Sequence, residues 1–361
     1  MKTTNTYPHR KQFSTIIGVD LGDKKHHVCV TGKDGIILSE TTVRNNRKAL
    51  SQLADSYKGS LFAIEVGTHS PWISRLFEKR GCSCLVANAR KLRAIYTNDR
   101  KCDMLDARML AKLARVDPEL LSPIKHGCEE DQVHRMAITL RDSLVHQRVK
   151  MISSIRFTLK SLGVRLPVCS TGAFVNRCRE EMEESSLLDV VEISLKALEE
   201  INKSIKQYEK HISKTAAEHH PETKLLQQVP GVGPLTSLSF VLAVGDPDRF
   251  EDPRDVGAYF GLVPRRDQSG DSDKQLPISK AGNGDLRRLL VQSAQYILGH
   301  FGPDCDLREH GLKLAAKGGK AAKRKAVIAT ARKLAVLLLV LWKTGQAYEP
   351  MRKPRSENQA V

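Results

Sequence analysis

The chain has 361 residues, with 58 Lys and Arg against 41 Asp and Glu, so its formal net charge is +17. This length allows two domains, each with a core of its own. The strong positive charge makes a polyanion, above all nucleic acid, the leading class of partner, and a basic protein without such a partner is the alternative. The longest apolar stretch, from Leu334 to Trp342, is too short to cross a bilayer and predicts one side of a buried helix.

The eight cysteines lack the C-x-x-C spacing of a zinc finger. Because the chain also shows no signal peptide, they predict reduced thiols in a cytoplasmic protein.

Residues 1–128 alternate strand and helix signals and predict an α/β domain. Three strands at Thr15–Leu21, Val28–Thr31 and Ile36–Val43 are joined by tight turns, which favours an antiparallel meander. An amphipathic helix around Leu50, a strand at Leu61–Glu65, a helix at Trp72–Lys79, a strand at Cys82–Ala87 and a basic helix then follow. This order is the one expected of a ribonuclease-H-like fold.

Four acidic residues stand out in this basic chain. Asp20 and Glu65 each end an apolar run, and Asp103 and Asp106 lie three residues apart on one face of the basic helix. Carboxylates placed in this way predict a site for two hard divalent cations. The alternative is that the acids cap turns or pair with neighbouring basic residues, and Asp23 and Asp99 are further candidate ligands.

Residues 129–217 change to a pattern of long helices. Val191, Leu198, Ile205 and Ile212 repeat every seven residues, which is typical of a coiled coil. A break between Gly163 and Gly172 divides the region into two arms. These arms would space two domains or join subunits, and packing within one chain is an equal alternative.

Residues 218–361 predict a mostly helical domain that binds nucleic acid. Gly231 and Gly233 form a Gly-x-Gly turn between two helices, where backbone N–H groups can hold a phosphate as in helix-hairpin-helix modules. The candidate phosphate-binding side chains are Arg265, Arg266, Lys280, Arg287, Arg288, Lys323, Arg324 and Lys325. The last three belong to a very basic segment, for which a solvated helix face is the alternative.

Ser269 lies in a polar stretch beside Gly270, which predicts an exposed loop. Arg265 and Arg266 precede it, and a serine that attacks a phosphodiester needs such cations to offset the charge that develops on the phosphoryl oxygens. From the spacing alone, a turn serine among solvated arginines is the stronger alternative.

Two groups of motifs resemble the DEDD-type insertion-sequence transposases of the IS110 kind, which are RNA-guided serine recombinases. The first group comprises Ile17–Gly22, Ile64–Glu65, Asn88–Arg90 and Asp103–Ala107. The second comprises Pro230–Pro234, Phe260–Arg265, Gln268–Gly270 and Ile278–Asn283. The resemblance covers nearly the whole chain.

This resemblance implies a RuvC-like domain whose Asp20, Glu65, Asp103 and Asp106 hold Mg²⁺, or alternatively Mn²⁺. It also implies that Ser269 forms a transient phosphoserine link with DNA. Members of the family often carry Ser-Ser-Gly where this chain has Gln268-Ser269-Gly270, so Ser272 is the second candidate for the nucleophile.

The same resemblance implies donor and target DNA and a non-coding guide RNA as partners. It further implies a homo-oligomer, up to a tetramer, in a prokaryotic cytoplasm near the nucleoid. The predicted function is therefore RNA-guided strand cleavage and exchange by the transposase of an insertion sequence. No Walker-type phosphate loop is present in the sequence, which fits strand exchange that conserves bond energy and needs no ATP. The competing hypotheses are a Holliday-junction endonuclease that uses water and a nucleic-acid-binding protein without catalysis.

Overall fold

The computed structural model describes residues 13–88, 102–183, 185–269 and 272–351, with side chains except at 269 and 272–275. These residues fall into two compact units, one that ends at Glu129 and one that begins at Glu130. The long helices and the C-terminal helices belong to the same unit, so the division into three domains at 128 and 217 stays a prediction.

The first unit is built on a five-stranded mixed sheet, in which the strand order is β3-β2-β1-β4-β5. Its strands are β1 (Thr15–Asp20), β2 (Lys25–Gly32), β3 (Ile37–Arg44), β4 (Leu61–Glu65) and β5 (Ser83–Ala87). The first three form the predicted antiparallel meander, whereas β4 pairs in parallel with both β1 and β5. This topology confirms an α/β unit and is consistent with the ribonuclease-H-like prediction.

Helices cover both faces of this sheet. They are α1 (Arg47–Ser56), α2 (Ser70–Lys79) and α3 (Asp103–Val116). Alternate residues of β1 point to opposite faces, so Ile17 packs with Leu50 of α1 and Ile73 of α2. Ile16 packs instead with Leu110 of α3. The central strands β1 and β4 are apolar up to their last residue, apart from Thr15 at the start of β1, because they are buried on both faces.

The second unit is mostly helical among its described residues. Its helices are α4 (Glu129–Ser161), α5 (Phe174–Glu181), α6 (Leu187–His219), α7 (Thr223–Leu226), α8 (Pro234–Val244), α9 (Asp255–Tyr259), α10 (Gly284–Leu298), α11 (Asp306–Ala315) and α12 (Gly319–Thr344). One antiparallel hairpin, β6 (Pro264–Ser269) and β7 (Ser272–Ile278), lies between α9 and α10.

The two long helices α4 and α6 run antiparallel and form the predicted two arms. The heptad residues Leu198, Ile205 and Ile212 are buried. Leu198 packs with Ile155 of α4, and Ile212 packs with Ala137 near the start of α4. The stripe is therefore covered within the chain, which was one of the two alternatives for this pattern.

The core of the second unit lies around α12. Its C-terminal half carries the apolar stretch that predicts a buried helix face, and Leu334, Leu338 and Leu339 are indeed buried. Its N-terminal half carries the basic segment. None of the helices in the described ranges is long and apolar enough to cross a membrane.

Candidate active site

The sheet brings Asp20 and Glu65 to one edge. Asp20 is the last residue of β1 and Glu65 is the last residue of β4. These neighbouring strands are parallel, and Val19 stands opposite Ile64 in their register. The carboxyl ends of parallel strands lie at the same edge of a sheet. Asp20 and Glu65 are therefore neighbours at that edge.

A close contact between β1 and α3 brings the other two acids to this edge. A Cβ atom on Gly18 would lie 2.0 Å from the carbonyl oxygen of Ala107 and 2.6 Å from the backbone nitrogen of Ala111. The helix backbone therefore rests directly on the strand, which only glycine permits. The first turn of α3 carries Asp103 and Asp106.

A second contact fixes α3 against the meander. The Arg108 guanidinium makes two hydrogen bonds to the Glu40 carboxylate of β3, of which the Nη2–Oε2 bond measures 2.6 Å. This paired geometry lowers the pKa of Glu40. Arg108 is one of the neighbouring basic residues that were the alternative partners of Asp103 and Asp106, and its guanidinium pairs with Glu40.

The electrostatics of Asp20 reflect its surroundings. Its pKa is raised from 3.8 to about 6, first because the carboxyl is partly buried. The carboxylates of Asp103, Asp106 and Glu65 add to this rise, in that order. Asp103, Asp106 and Glu65 thus lie near enough to Asp20 to repel its carboxylate, and a bound cation would relieve that repulsion.

Among the described residues, the carboxylate oxygens of the four acids are not gathered around one point. Within the part of the chain that the structure describes, no three of these carboxylates bring oxygens within 4.8 Å of one another. His27 borders the cluster, with its Nε2 atom 3.6 Å from Oδ2 of Asp103.

Of the two alternative ligands, Asp23 lies in the described part of the chain. The Asp23 side chain is 90% exposed and its Oδ1 atom lies 3.3 Å from Nε2 of His69. Asp23 is not among the residues that raise the pKa of Asp20. Asp99 lies outside the described residues.

The candidate nucleophiles lie on the β6–β7 hairpin in the second unit. Ser269 ends β6, Ser272 begins β7, and the two residues stand opposite each other in the register. The sequence predicted a loop at Ser269, whereas the structure places its backbone at the end of a strand. The predicted turn residue Gly270 lies outside the described residues, as do the side chains of both serines.

Two glycines fasten the base of this hairpin to the core. Gly261 has a φ of +68°, and a Cβ atom there would lie 2.3 Å from the backbone nitrogen of Ala281. Gly282 has a φ of +69°, and its Cβ would lie 2.2 Å from the carbonyl oxygen of Tyr259. The backbone N–H of Lys280 donates to the Gly261 carbonyl at 3.2 Å, which closes the base.

The predicted nucleic-acid-binding residues divide into two classes. Those with exposed side chains are Arg265, Arg266, Lys280, Lys323, Arg324 and Lys325. Arg287 instead donates to the carbonyl oxygens of Phe260 at 3.0 Å and Ala281 at 2.7 Å. Arg288 forms an ion pair with Asp142, whose residue surface is only 6% exposed. The side chains of these two arginines therefore make contacts within the protein. A role for them in binding nucleic acid stays a prediction.

The Gly-x-Gly turn joins α7 to α8 as predicted. Gly231 has a φ of +78° and packs closely on Ser293 and Tyr296 of α10. Gly233 is the N-terminal cap of α8, and nothing lies within 4 Å of the place a Cβ would take. Phosphate binding by this turn stays a prediction.

Comparison with known proteins assigns both regions to one family. A transposase family model of the IS110 DEDD type matches residues 17–163, which include the four acids. A second family model, described as "Transposase IS116/IS110/IS902 family", matches residues 223–307, which include the hairpin. The chain belongs to the IS110/IS116/IS902 family of transposases.

Curated relatives agree with this family. The chain is 26% identical over 343 residues to the transposase for insertion sequence element IS1111A of Coxiella burnetii, covering 92% of this chain and 91% of that protein. It is 27% identical over 286 residues to the IS1328 transposase of Yersinia enterocolitica, covering 78% and 83% respectively. A pilin gene-inverting protein of Moraxella bovis is 29% identical over 126 residues, 35% of this chain and 38% of that protein.

Sequence reasoning missed the residues that position the site. Gly18 was quoted only as part of a motif, although a glycine inside an apolar strand signals a close backbone approach. The pairing of Arg108 with Glu40 has no comparable signal, because the two residues are far apart in the sequence.

Proposed function

We propose that this family member is a DNA transposase that cleaves and exchanges strands through a phosphoserine intermediate, assisted by divalent cations at its four acids. The observation that carries the proposal is the grouping of Asp20, Glu65, Asp103 and Asp106 at one sheet edge, with the pKa of Asp20 raised to about 6 by burial and by its three neighbours. Without a cation, repulsion within such an acid cluster lowers the stability of the folded protein. Clusters of this kind are typical of functional sites.

The residues present fit Mg²⁺ or Mn²⁺. All four side chains offer carboxylate oxygens, which are the ligands that both ions prefer. When bound, such ions would stabilise the negative charge that develops during phosphoryl transfer. Asp20 and Glu65 would be fixed ligands because the strands that carry them are buried. The positions of Asp103 and Asp106 would depend on how α3 packs against β1.

The serine supplies the nucleophile in this proposal. The Oγ atom of Ser269, or alternatively of Ser272, attacks a DNA phosphorus atom and loses its proton as the new P–O bond forms. One strand hydroxyl leaves, and the hydroxyl of a different strand later displaces the serine, so the number of phosphodiester bonds is conserved. The exposed Arg265 and Arg266 on β6 would offset charge on the transferring phosphate.

A further argument for strand exchange comes from the relatives' names. Two are named as transposases of insertion sequences and one is named for inverting a pilin gene. Inversion and transposition both require that cut strands be rejoined to new ends. An enzyme that stores the bond energy in a protein–DNA link achieves this without ATP.

Donor DNA, target DNA and a guide RNA are the partners in this proposal, and a homo-oligomer is the acting form. The net charge of +17 and the exposed basic residues of α12 and β6 support a polyanionic partner. Sequence choice would come from base pairing with the RNA, while the protein reads backbone and shape.

The main competitor is a structure-specific endonuclease that uses water. The acid cluster favours it in one respect, because all four acids belong to the first unit and the serine hairpin belongs to the second. Such an enzyme would release free cleaved DNA and would form no covalent link.

Trapping of a covalent intermediate tests the proposal. The full chain would be mixed with Mg²⁺, the RNA transcribed from the flank of the element and labelled donor and target DNA, then denatured and run on a gel. We expect a protein–DNA adduct that disappears in Ser269→Ala, or in Ser272→Ala if that residue is the nucleophile. Asp20→Asn should abolish the adduct as well. Cleaved DNA without any adduct, unaffected by both serine changes, would overturn the proposal in favour of the endonuclease.

A further inference from the structure

A cluster of histidines and carboxylates lies in the second unit, apart from the four acids. Asp131 and His134 lie in the first two turns of α4, and His220 directly follows the end of α6. One ligand atom from each of these three residues lies within 4.8 Å of the others. Glu130, His134 and His219 form a second such group, so the two groups share His134.

The two central histidines are buried and face each other. His134 and His220 are each 8% exposed, and Nδ1 of His134 lies 2.9 Å from Nε2 of His220. Two nitrogens bound to one tetrahedral zinc ion lie about 3.3 Å apart, as follows from a Zn–N bond of about 2.0–2.1 Å. If both rings reorient so that their nitrogens face a common point, and the proton between them is released, the hydrogen-bonded pair becomes two ligands of one ion.

The surroundings of His220 are those of a metal-bound histidine. Its other ring nitrogen, Nδ1, lies 3.5 Å from Oε1 of Glu222. Metal-binding histidines usually direct their second nitrogen to a carboxylate, which orients the ring and fixes the tautomer. The backbone is held too, because the buried hydroxyl of Thr223 donates to the carbonyl oxygens of Ala216 at 2.9 Å and His220 at 2.7 Å.

We propose that Asp131, His134 and His220 bind one transition-metal ion, with Zn²⁺ as the best fit, and that Glu222 orients His220. Two imidazole nitrogens and one carboxylate suit zinc, whereas Mg²⁺ prefers a set of oxygens alone. Solvent completes the coordination, and the exposed His219–Glu130 pair, 3.1 Å apart, borders the ion. The ion joins the start of α4 to the end of α6, so it fixes the open end of the two long helices.

The function of this ion is to set the geometry of the helical arm. The start of α4 and the end of α6 are not joined by a short stretch of chain, because the residues between them form the whole helical arm. A metal bridge there would hold the two helices in register at the point where α7 and α8 begin. This role is separate from the chemistry proposed for the four acids.

Zinc binding to the full chain tests the proposal. The protein would be stripped with a chelator, and Zn²⁺ would be titrated against a chromogenic chelator with Mg²⁺ in excess. The titration would use an Asp20→Asn background, so that the acid cluster contributes little. We expect one tight equivalent of zinc, which is lost in His134→Gln and in His220→Gln. His211→Gln is the matched control, because His211 is an exposed histidine on the same helix α6, and it should keep the equivalent.

Two further measurements keep the test decisive if a histidine variant fails to fold. Glu222→Gln removes the orienting carboxylate but no ligand, and it should weaken zinc binding about 10- to 100-fold. Substitution by Co²⁺ should give the visible absorption of a tetrahedral site without a sulfur-to-cobalt band, which separates this site from the cysteines. No tight equivalent in the parent protein, or an equivalent that survives in folded His134→Gln, would mean that the two histidines are only a hydrogen-bonded pair.

Discussion

The acid cluster and the serine hairpin position their residues in different ways. The four acids come from three elements that are packed into the core of the first unit, and α3 rests on β1 through Gly18. In the hairpin, residues 264–268 of β6 are exposed, and the base of the hairpin is fastened through Gly261 and Gly282. The acid geometry therefore follows from burial of the surrounding chain, whereas the location of the serines depends on two backbone contacts.

Disturbing the helix–strand contact should have the largest effect. Gly18→Ala places a methyl group 2.0 Å from the Ala107 carbonyl, where backbone rather than a flexible side chain must move. We expect a loss of about 3 kcal/mol or more in the unfolding free energy. Urea unfolding followed by Trp72 fluorescence in a Trp342→Phe background measures this loss in the first unit.

The control for this change is Gly67→Ala, in the same unit. Nothing lies within 4 Å of the Cβ position of Gly67, so its substitution should change stability by less than about 1 kcal/mol. Equal effects of the two changes would contradict the close packing of α3 on β1. Any fraction of Gly18→Ala that folds should also bind divalent cations more weakly, because Asp103 and Asp106 move with the helix.

The hairpin base should be the next most sensitive point. Gly282→Ala combines a left-handed backbone with a contact of 2.2 Å to the Tyr259 carbonyl, so we expect a cost of about 2–3 kcal/mol. Gly345→Ala is the matched control, because Gly345 also has a left-handed backbone, with a φ of +65°, but open space around it. It should cost only about 1 kcal/mol.

Unfolding followed by Trp342 fluorescence in a Trp72→Phe background separates these two contributions. The difference between the two alanine variants measures the close contact alone. If the variants lose the same stability, the hairpin is not fastened by Gly282. Formation of the covalent protein–DNA adduct is a second measurement. Gly282→Ala should reduce adduct formation by more than its loss of stability explains.

Much of the first unit was predictable from sequence because its signals are local. Apolar runs ending in Asp20 and Glu65 predicted two strands, and the tight turns between the first strands predicted the meander. The helical spacing of Asp103 and Asp106 predicted a shared face. What the sequence did not predict is how near α3 comes to β1, because that distance depends on Gly18 meeting Ala107 and Ala111 in space.

The second unit was less predictable because its signals depend on distant partners. The heptads of α6 indicated a buried stripe, but whether α4 or another subunit covers it was open until Ile155 and Ala137 were found against it. Arg287 and Arg288 looked like phosphate ligands by their charge. Their partners, the Phe260 carbonyl and the Asp142 carboxylate, lie far away in the sequence, and in Asp142 burial makes an ion pair necessary.

The smallest effect is expected from the charge of Asp20 itself, measured in chelator. Its pKa is raised from 3.8 to about 6, so the folded state binds the proton more tightly than the unfolded state. The stability of the parent protein should therefore fall as pH rises from about 4 to about 6 and stay lower above that range. Asp20→Asn removes this loss and should be more stable at pH 7.5 by about 1 kcal/mol, well below the unscreened value because the carboxyl is partly exposed.

The matched control is Asp23→Asn, since the Asp23 side chain is 90% exposed and does not contribute to the pKa shift of Asp20. It should leave the pH dependence unchanged. Adding Mg²⁺ should make the parent protein more stable than Asp20→Asn at pH 7.5, because only the parent protein keeps all four carboxylates to bind the ion. A parent protein that remains less stable than Asp20→Asn at saturating Mg²⁺ and Mn²⁺ would show that the four acids repel one another without serving a metal. If the parent protein becomes the more stable of the two, the repulsion among the carboxylates in the metal-free protein belongs to a site that binds cations.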